Sequence, residues 1–185
     1  MGAGERDYFG EDVHLNNHLW LADLKRDHPE YLKKARVLEI GSKVWTGTIR
    51  PFFEDCYYIG VDQEDGDGVD IVCQGDETGF HPGYFDTLAM FSVFEHTPKW
   101  REILVHNLQW LRVGGLFMTC FGAEGNARHE PEPWAIVPHQ EFLDFCDTLP
   151  LTIMDAFFEE ERYGKNCPGA FDVLAKKYDE RILRG

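Results

Sequence analysis

The chain has 185 residues, 43% of them hydrophobic and 14% aromatic, which is enough apolar material for one domain with a full-sized core and argues against disorder. A formal net charge of −15 and scattered lysines and arginines argue against nucleic acid as the main partner, because a phosphate backbone would be repelled. The N-terminus is polar and acidic, unlike a signal peptide, and no apolar run would cross a bilayer, so we expect a cytoplasmic protein without a membrane partner.

The cysteines are five in number and form no C-x-x-C pair, which indicates neither a disulfide framework nor a cysteine zinc site. Buried, reduced thiols are the expected state. The five are Cys56, Cys73, Cys120, Cys146 and Cys167.

The first 35 residues are predicted to be helical. Apolar residues recur at helical spacing over residues 12–26, and a short helix with Pro29 in its first turn follows over residues 27–34. No linker or repeat divides the chain, so we expect a single domain over residues 1–185. In it, residues 1–35 would form a helical lid and residues 36–185 the core.

Short apolar strands alternate with helices from residue 36 onward. The predicted strands are, in chain order, VLEIG, YYIGVD, VDIVCQGD, YFDTLAMFSVF, LFMTCFG, LTIMDAFFEEE and GAFDVLAKKY. The predicted helices are TIRPFFEDC, PKWREILVHNLQWLR and PHQEFLDFCDTL, the second capped by Thr97 and stopped by Gly114 and Gly115. This order predicts an α/β, doubly wound, Rossmann-like fold, with a mostly parallel sheet of about seven strands. The last two strands have no helix between them and must pair as an antiparallel hairpin at or near one edge.

Acidic residues follow three of the predicted strands, at Glu39, Asp62 and Asp76, and the segment FSVFEH follows a fourth. Because ligands in such sheets bind at the carboxyl ends of the strands, we expect these positions to converge. The stretch RVLEIGSKVWTGT lacks the middle glycine of a dinucleotide fingerprint. Glu39 there disfavours a phosphate and suits a cationic or hydroxyl-bearing ligand, unless the stretch is only a tight turn with Glu39 in solvent.

Asp62 lies 23 residues after Glu39, at the end of the second strand, where an acid accepts both hydroxyls of a ribose. A helix cap or turn acid is the alternative. Asp76 and Glu77 follow the third strand and are interpreted either as acceptors for a base amino group or as ordinary loop acids.

These motifs together resemble the class I S-adenosylmethionine-dependent methyltransferases, and most closely the small group with a strand-end S-V-L-E-H segment. Here the chain reads SVFEH at residues 92–96, WLRVGG at 110–115, LEIGSKVWTGTIR at 38–50 and YIGVDQEDGDGVDIV at 58–72. The resemblance covers about residues 36–122 and implies S-adenosylmethionine as cofactor.

The resemblance also implies a role for each matching residue. The methionine-binding first motif would comprise Glu39, Gly41, Ser42, Lys43 and Gly47, with Lys43 either paired to the cofactor's carboxylate or solvated. Asp62 would hold the ribose hydroxyls, with Gln63 beside the adenine and Asp76 and Glu77 in the adenine-side loop. Ser92 and Val93 would form the floor of the site.

Methyl transfer needs a base only where the acceptor loses a proton, and His96 is the best-placed candidate, with a structural histidine as the alternative. Glu95 and His96 are too few ligands for a metal, and no metal site is predicted. The Pro-rich loop 123–139, with His129, Trp134 and His139, is expected to select the substrate. His14 and His18, one helical turn apart, are expected to be exposed or packed.

The sequence therefore predicts a methyltransferase acting on a small molecule, sugar or peptide, as a monomer or homodimer. The alternative is a non-catalytic methyltransferase-like domain that binds a partner.

Overall fold

A computed structural model describes residues 15–45, 47–126, 135–164 and 169–178, with side chains described from Asn17 onward. Seven strands form one sheet in the order β3-β2-β1-β4-β5-β7-β6. The strands are β1 Arg36–Ile40, β2 Tyr57–Asp62, β3 Ile71–Val72, β4 Phe85–Phe91, β5 Leu111–Gly122, β6 Leu151–Phe158 and β7 Ala170–Lys177. The predicted fold class is confirmed.

The strand order reverses between β1 and β4, which both run parallel to their neighbours. Such a switch point leaves a crevice at the carboxyl ends of the two strands. At the far side, β7 is antiparallel to both β5 and β6, so β6 is the edge strand and the predicted hairpin is present.

Four α-helices flank the sheet within the described ranges: α1 Leu15–Asp27, α2 Trp100–Leu108, α3 His139–Asp147 and α4 Glu159–Tyr163. Buried side chains of α2 and α3 pack with one face of the sheet, and those of α1 pack with the other. Trp20 of α1 is fully buried, with its ring 5.9 Å from those of Phe91 and Phe157. Val13 and His14 lie outside the described residues. No described helix combines the length and apolar character needed to cross a membrane.

The predicted helix after β1 is wrong, since only a single 3-10 turn, Arg50–Phe52, forms there. The next residue, Phe53, has φ −90° and ψ 110°, an extended conformation that ends the turn. The third strand is likewise shorter than predicted and comprises Ile71 and Val72 alone.

The end of α2 also differs from the prediction. The helix stops at Leu108, and Gly114 and Gly115 lie inside β5 instead of terminating the helix. Gly114 has φ +77°, a left-handed conformation that suits glycine, and the β4–β5 register shifts beside it. The N-cap is Lys99, whose backbone N–H donates to Thr97 Oγ1, so Thr97 supports the helix start from two residues upstream.

Candidate functional site

A cavity of about 530 Å³ opens at the carboxyl ends of β1, β2 and β4. Its volume lies in the range of small-molecule and cofactor sites. The predicted site residues that line it are Glu39, Gly41, Ser42, Lys43, Gly47, Asp62, Gln63, Ser92, Val93 and His96. Parallel strands end at one edge of the sheet, which is why residues far apart in the sequence meet here.

Glu39 is the last but one residue of β1, and its carboxyl is buried against the cavity with 6% exposure. Tyr58 of β2 donates its phenol hydrogen to Glu39 Oε2 over 2.8 Å. Burial raises the pKa of Glu39 to about 7, against the lowering effects of this hydrogen bond and of Arg50. Glu39 is therefore a buried acid, and the interpretation as a turn acid in solvent is wrong.

Gly41 has φ +78°, which disfavours any residue with a side chain. A Cβ at this position would lie 2.5 Å from Val93 Cγ2, closer than two carbons can approach. The glycine is thus required by the turn itself and by Val93. A bulkier residue at position 41 would disturb the fold as well as any ligand, so it cannot report on ligand binding alone.

Asp62 ends β2 and is held by two backbone groups. Lys43 N–H donates to its Oδ2 over 3.1 Å and Glu64 N–H donates to its Oδ1 over 3.0 Å. These bonds orient the carboxylate and leave further lone pairs on both oxygens for hydroxyl donors, since a carboxylate accepts about four hydrogen bonds.

Lys43 and Trp45 form one structure at the rim. The Lys43 ammonium lies 2.6 Å from Glu64 Oε2 and 4.3 Å from the centre of the Trp45 ring, which is 61% exposed. Lys43 is therefore not simply solvated, because its ammonium group is already paired with the Glu64 carboxylate.

Ser92 and His96 follow β4. Ser92 has φ +52°, an uncommon left-handed conformation for a residue other than glycine, and its backbone N–H donates to Cys120 O over 2.8 Å. A 3-10 turn, Phe94–His96, then places His96 in the cavity wall and turns Glu95 away, so that Gly122 N–H donates to Glu95 Oε1.

Asp76 and Glu77 are not among the residues that line the cavity. Asp76 pairs with the Lys99 ammonium over 2.7 Å, which lowers the pKa of that carboxyl. The residues from this loop that face the cavity are Cys73, Gln74 and Gly75. The adenine-side role of Asp76 and Glu77 stays a prediction.

The substrate loop predicted at 123–139 is described in part, and His129 and Trp134 lie outside the described residues. His139 begins α3, where its backbone N–H donates to Glu124 Oε2 over 3.0 Å and its ring contacts Phe158 and Phe171. It is not among the cavity residues.

Sequence reasoning missed a set of lining residues that carry no motif. They are Thr48, Ile49, Val61, Glu64, Thr97 and Ile103, together with His18. Phe91 also lines the cavity, as expected for the segment FSVFEH. The Nε2 atom of His18 is buried and has no hydrogen-bond partner among the described residues, while its ring packs against Phe52 at 5.2 Å. The signal available in the sequence was its position on the helix face that carries Leu21, three residues and about one turn away.

Two buried polar atoms of the cavity wall, Ser42 Oγ and His18 Nε2, have no hydrogen-bond partner in the described part of the chain. The charged side chains of the wall are three carboxyls, Glu39, Asp62 and Glu64, and one ammonium, Lys43. This excess of acids favours a cationic ligand that also carries hydroxyl or amino groups.

No model of a known protein family matches the sequence, and no curated protein matches it either. Many solved structures share its fold. A 1,6-didemethyltoxoflavin N1-methyltransferase of Burkholderia thailandensis, bound to 1,6-didemethyltoxoflavin and S-adenosylhomocysteine, is 17% identical, with a TM-score of 0.68 over 90% of this chain and 80% of that one.

Two further structures show how varied the proteins with this fold are. A geranyl diphosphate methyltransferase with geranyl diphosphate and sinefungin is 16% identical, with a TM-score of 0.61 over 86% of this chain and 78% of that one. The [4+2]-cyclase SpnF is 12% identical, with a TM-score of 0.69 over 95% and 86%. At these identities the likeness establishes a shared fold, and a fold alone does not fix an activity.

Proposed function

We propose that this chain, whose fold is that of the class I S-adenosylmethionine-dependent methyltransferases, transfers a methyl group from S-adenosylmethionine to a small-molecule acceptor. The observation that carries the proposal is the acidic cavity at the β1–β4 switch point, where Glu39 and Asp62 face one space. S-adenosylmethionine has a sulfonium and an ammonium group, which an excess of carboxylates attracts, and two ribose hydroxyls.

The residues present fit this cofactor. Asp62 has a fixed carboxylate with spare lone pairs, and the Ser42 hydroxyl is a buried polar group without a partner among the described residues. We assign the ribose to Asp62, the methionine end to the segment Glu39–Lys43, and the adenine side to Gln63 with Cys73 to Gly75. The bound cofactor would supply an activated methyl group for in-line displacement, and the protein would mainly position the acceptor against that group.

The acceptor has to enter near His96, which we assign as the base for an acceptor that loses a proton on methylation. Phe91 and Val93 contribute apolar side chains to the lining of the same cavity. His18, from the opposite side of the sheet edge, offers Nε2 to a polar atom of a bound molecule.

A binding domain without catalysis is the second candidate. It stays open because the fold does not fix methyl transfer: the fold neighbour SpnF is a [4+2]-cyclase. The first candidate predicts cofactor binding and a methylated product, whereas the second binds a partner, with or without the cofactor, and forms no product.

A screen with methyl-labelled S-adenosylmethionine and small-molecule extract separates the candidates. The proposal predicts label transfer that depends on the protein and is lost in Asp62→Ala. Cofactor binding without transfer to any fraction would support the binding domain, and absence of cofactor binding would overturn the methyltransferase proposal.

A further inference from the structure

A second cluster of functional side chains lies beside the cavity and plays no part in the proposed methyl transfer. Cys120 of β5, Asp172 of β7 and Glu159 at the start of α4 are each at most 4% exposed. The sulfur and one oxygen from each carboxyl all lie within 4.8 Å of one another. Cys120 Sγ is 3.6 Å from Glu159 Oε1.

The positions of the three residues follow from the sheet. Cys120 and Asp172 are paired directly across the antiparallel β5–β7 ladder, so their side chains share a face. Glu159 follows β6 immediately and turns the chain into α4, which brings its carboxyl over that face. Residues from three separate elements therefore aim their side chains at one point.

Asp172 is fully buried, and neither of its carboxyl oxygens has a hydrogen-bond partner among the described residues. The thiol of Cys120, a weak donor, makes its hydrogen bond to Glu159 Oε1. A buried carboxyl without strong donors costs several kcal/mol of folding free energy in general, so natural structures rarely leave one uncompensated.

Among the described residues Asp172 has no ion pair, although Arg162 is near enough to act on it electrostatically. The core on this side of the sheet is apolar and includes Trp20, Phe157 and Leu174. The guanidinium of Arg162 is committed to Asp155, with bonds of 2.7 and 3.0 Å, and Asp172 has no salt bridge to a described residue.

We propose that Cys120, Glu159 and Asp172 form a binding site for one zinc ion. Zinc takes thiolate sulfur and carboxylate oxygen together, whereas magnesium and calcium prefer oxygen ligands alone. The ion would compensate the buried Asp172 carboxylate and join β5, β7 and the connection between β6 and β7. Three protein ligands leave a fourth position for water or a further group.

This site is separate from the proposed cofactor site but adjoins it. Cys120 is the neighbour of Phe91 in the β4–β5 register, and Phe91 lines the cavity. Zinc would thus stabilise the strand next to the cavity floor. The inference does not rest on the proposed function, because it is carried by the three side chains alone.

The test uses the full chain after removal of metal with a chelator. Cobalt(II), a spectroscopic substitute for zinc, is expected to bind at one ion per chain and to produce a thiolate-to-cobalt charge-transfer band. Zinc at about a hundredfold above its dissociation constant should raise the Tm by roughly 5–10 °C, and magnesium should not.

Asp172→Asn, which keeps the shape of the side chain, and Cys120→Ser should both lose the band and the zinc-dependent rise in Tm. Cys146→Ser is the matched control, since Cys146 is another buried free thiol, in α3, and it should keep both. A wild-type protein without the band would overturn the proposal and indicate a protonated cluster held without metal. A folded Asp172→Asn variant that keeps the band would overturn it too, because the metal would then bind without Asp172. Should both variants fail to fold, the stoichiometry and band of the wild type decide.

Discussion

Tyr58 donates a 2.8 Å hydrogen bond to Glu39 across the β1–β2 pair, and this bond holds a buried carboxyl at the wall of the cavity. The bond compensates only part of the cost of burying the group, because burial still raises the pKa of Glu39 to about 7. Ionisation of Glu39 therefore costs folding free energy until a cationic ligand binds beside it. This residue links the stability of the fold to ligand binding.

Glu39→Gln should stabilise the ligand-free protein at pH 8 while weakening binding of S-adenosylmethionine. The folded-state pKa of Glu39 lies above its ordinary value, so the folded state keeps this carboxyl protonated to a higher pH than the unfolded state does. The free energy of unfolding therefore falls as pH rises between about 4.5 and 7. Glutamine does not ionise and escapes this loss, which is on the order of 2–3 kcal/mol between pH 5 and 8. Urea unfolding at the two pH values measures it, with exposed Glu102→Gln as the control. Equal pH dependence in wild type and Glu39→Gln would contradict the argument.

Ser42→Ala should leave folding unchanged and weaken cofactor binding by about two- to tenfold, the usual range for one net hydrogen bond. The reason is that Ser42 Oγ is buried with no partner in the described protein, so its removal costs the fold no bond. Calorimetric titration and thermal unfolding measure the two effects. Thr152→Ala, which removes an exposed hydroxyl on β6, is the control. Unchanged affinity would show that this hydroxyl does not face the cofactor.

Lys43→Met should change the affinity for S-adenosylmethionine by less than about threefold. The Lys43 ammonium is already paired with Glu64 over 2.6 Å, so little of its charge is available to a ligand carboxylate. Direct pairing with the cofactor would instead cost about tenfold or more, as for a hydrogen bond to a charged group. Glu64→Gln is the companion variant: a loss of affinity in Lys43→Met but not in Glu64→Gln would favour direct pairing.

His96→Gln should lower kcat by roughly a hundredfold or more once an acceptor is known, the range of general-base contributions. Affinity for S-adenosylmethionine should stay within a few-fold of the wild type, because His96 lies outside the segment Glu39–Lys43 that we assign to the methionine end. The pH profile of kcat should lose its acidic limb in this variant. A rate like that of the wild type would remove His96 from the base role and leave it as a wall residue.

The sequence predicts the ends of the strands better than what lies between them. Glu39, Asp62 and Ser92 line one cavity because parallel strands must end together, a constraint that needs no knowledge of the side chains. The helix expected after β1 shrinks to the turn Arg50–Phe52, and the glycines expected to end α2 lie within β5. Local residue preferences do not reveal where tertiary pairing will take over.

The sequence also did not predict contacts between side chains from distant segments. The ion pair of Asp76 with Lys99 joins loops 23 residues apart, and His18 reaches the cavity from a helix that precedes every strand. The same holds for Cys120, Glu159 and Asp172, whose spacing along the chain matches no metal motif although the fold brings them within 4.8 Å.

Calorimetric titration of S-adenosylmethionine into the wild type and Asp62→Ala tests the central claim most directly. Asp62 is held by Lys43 N–H and Glu64 N–H with lone pairs to spare, and we assign the two ribose hydroxyls to it. Asp62→Asn keeps its shape and controls for loss of those loop contacts. We predict a micromolar dissociation constant for the wild type, at least a hundredfold weaker binding in Asp62→Ala, and intermediate affinity in Asp62→Asn. No binding to the wild type, or equal binding to a folded Asp62→Ala, would contradict the account.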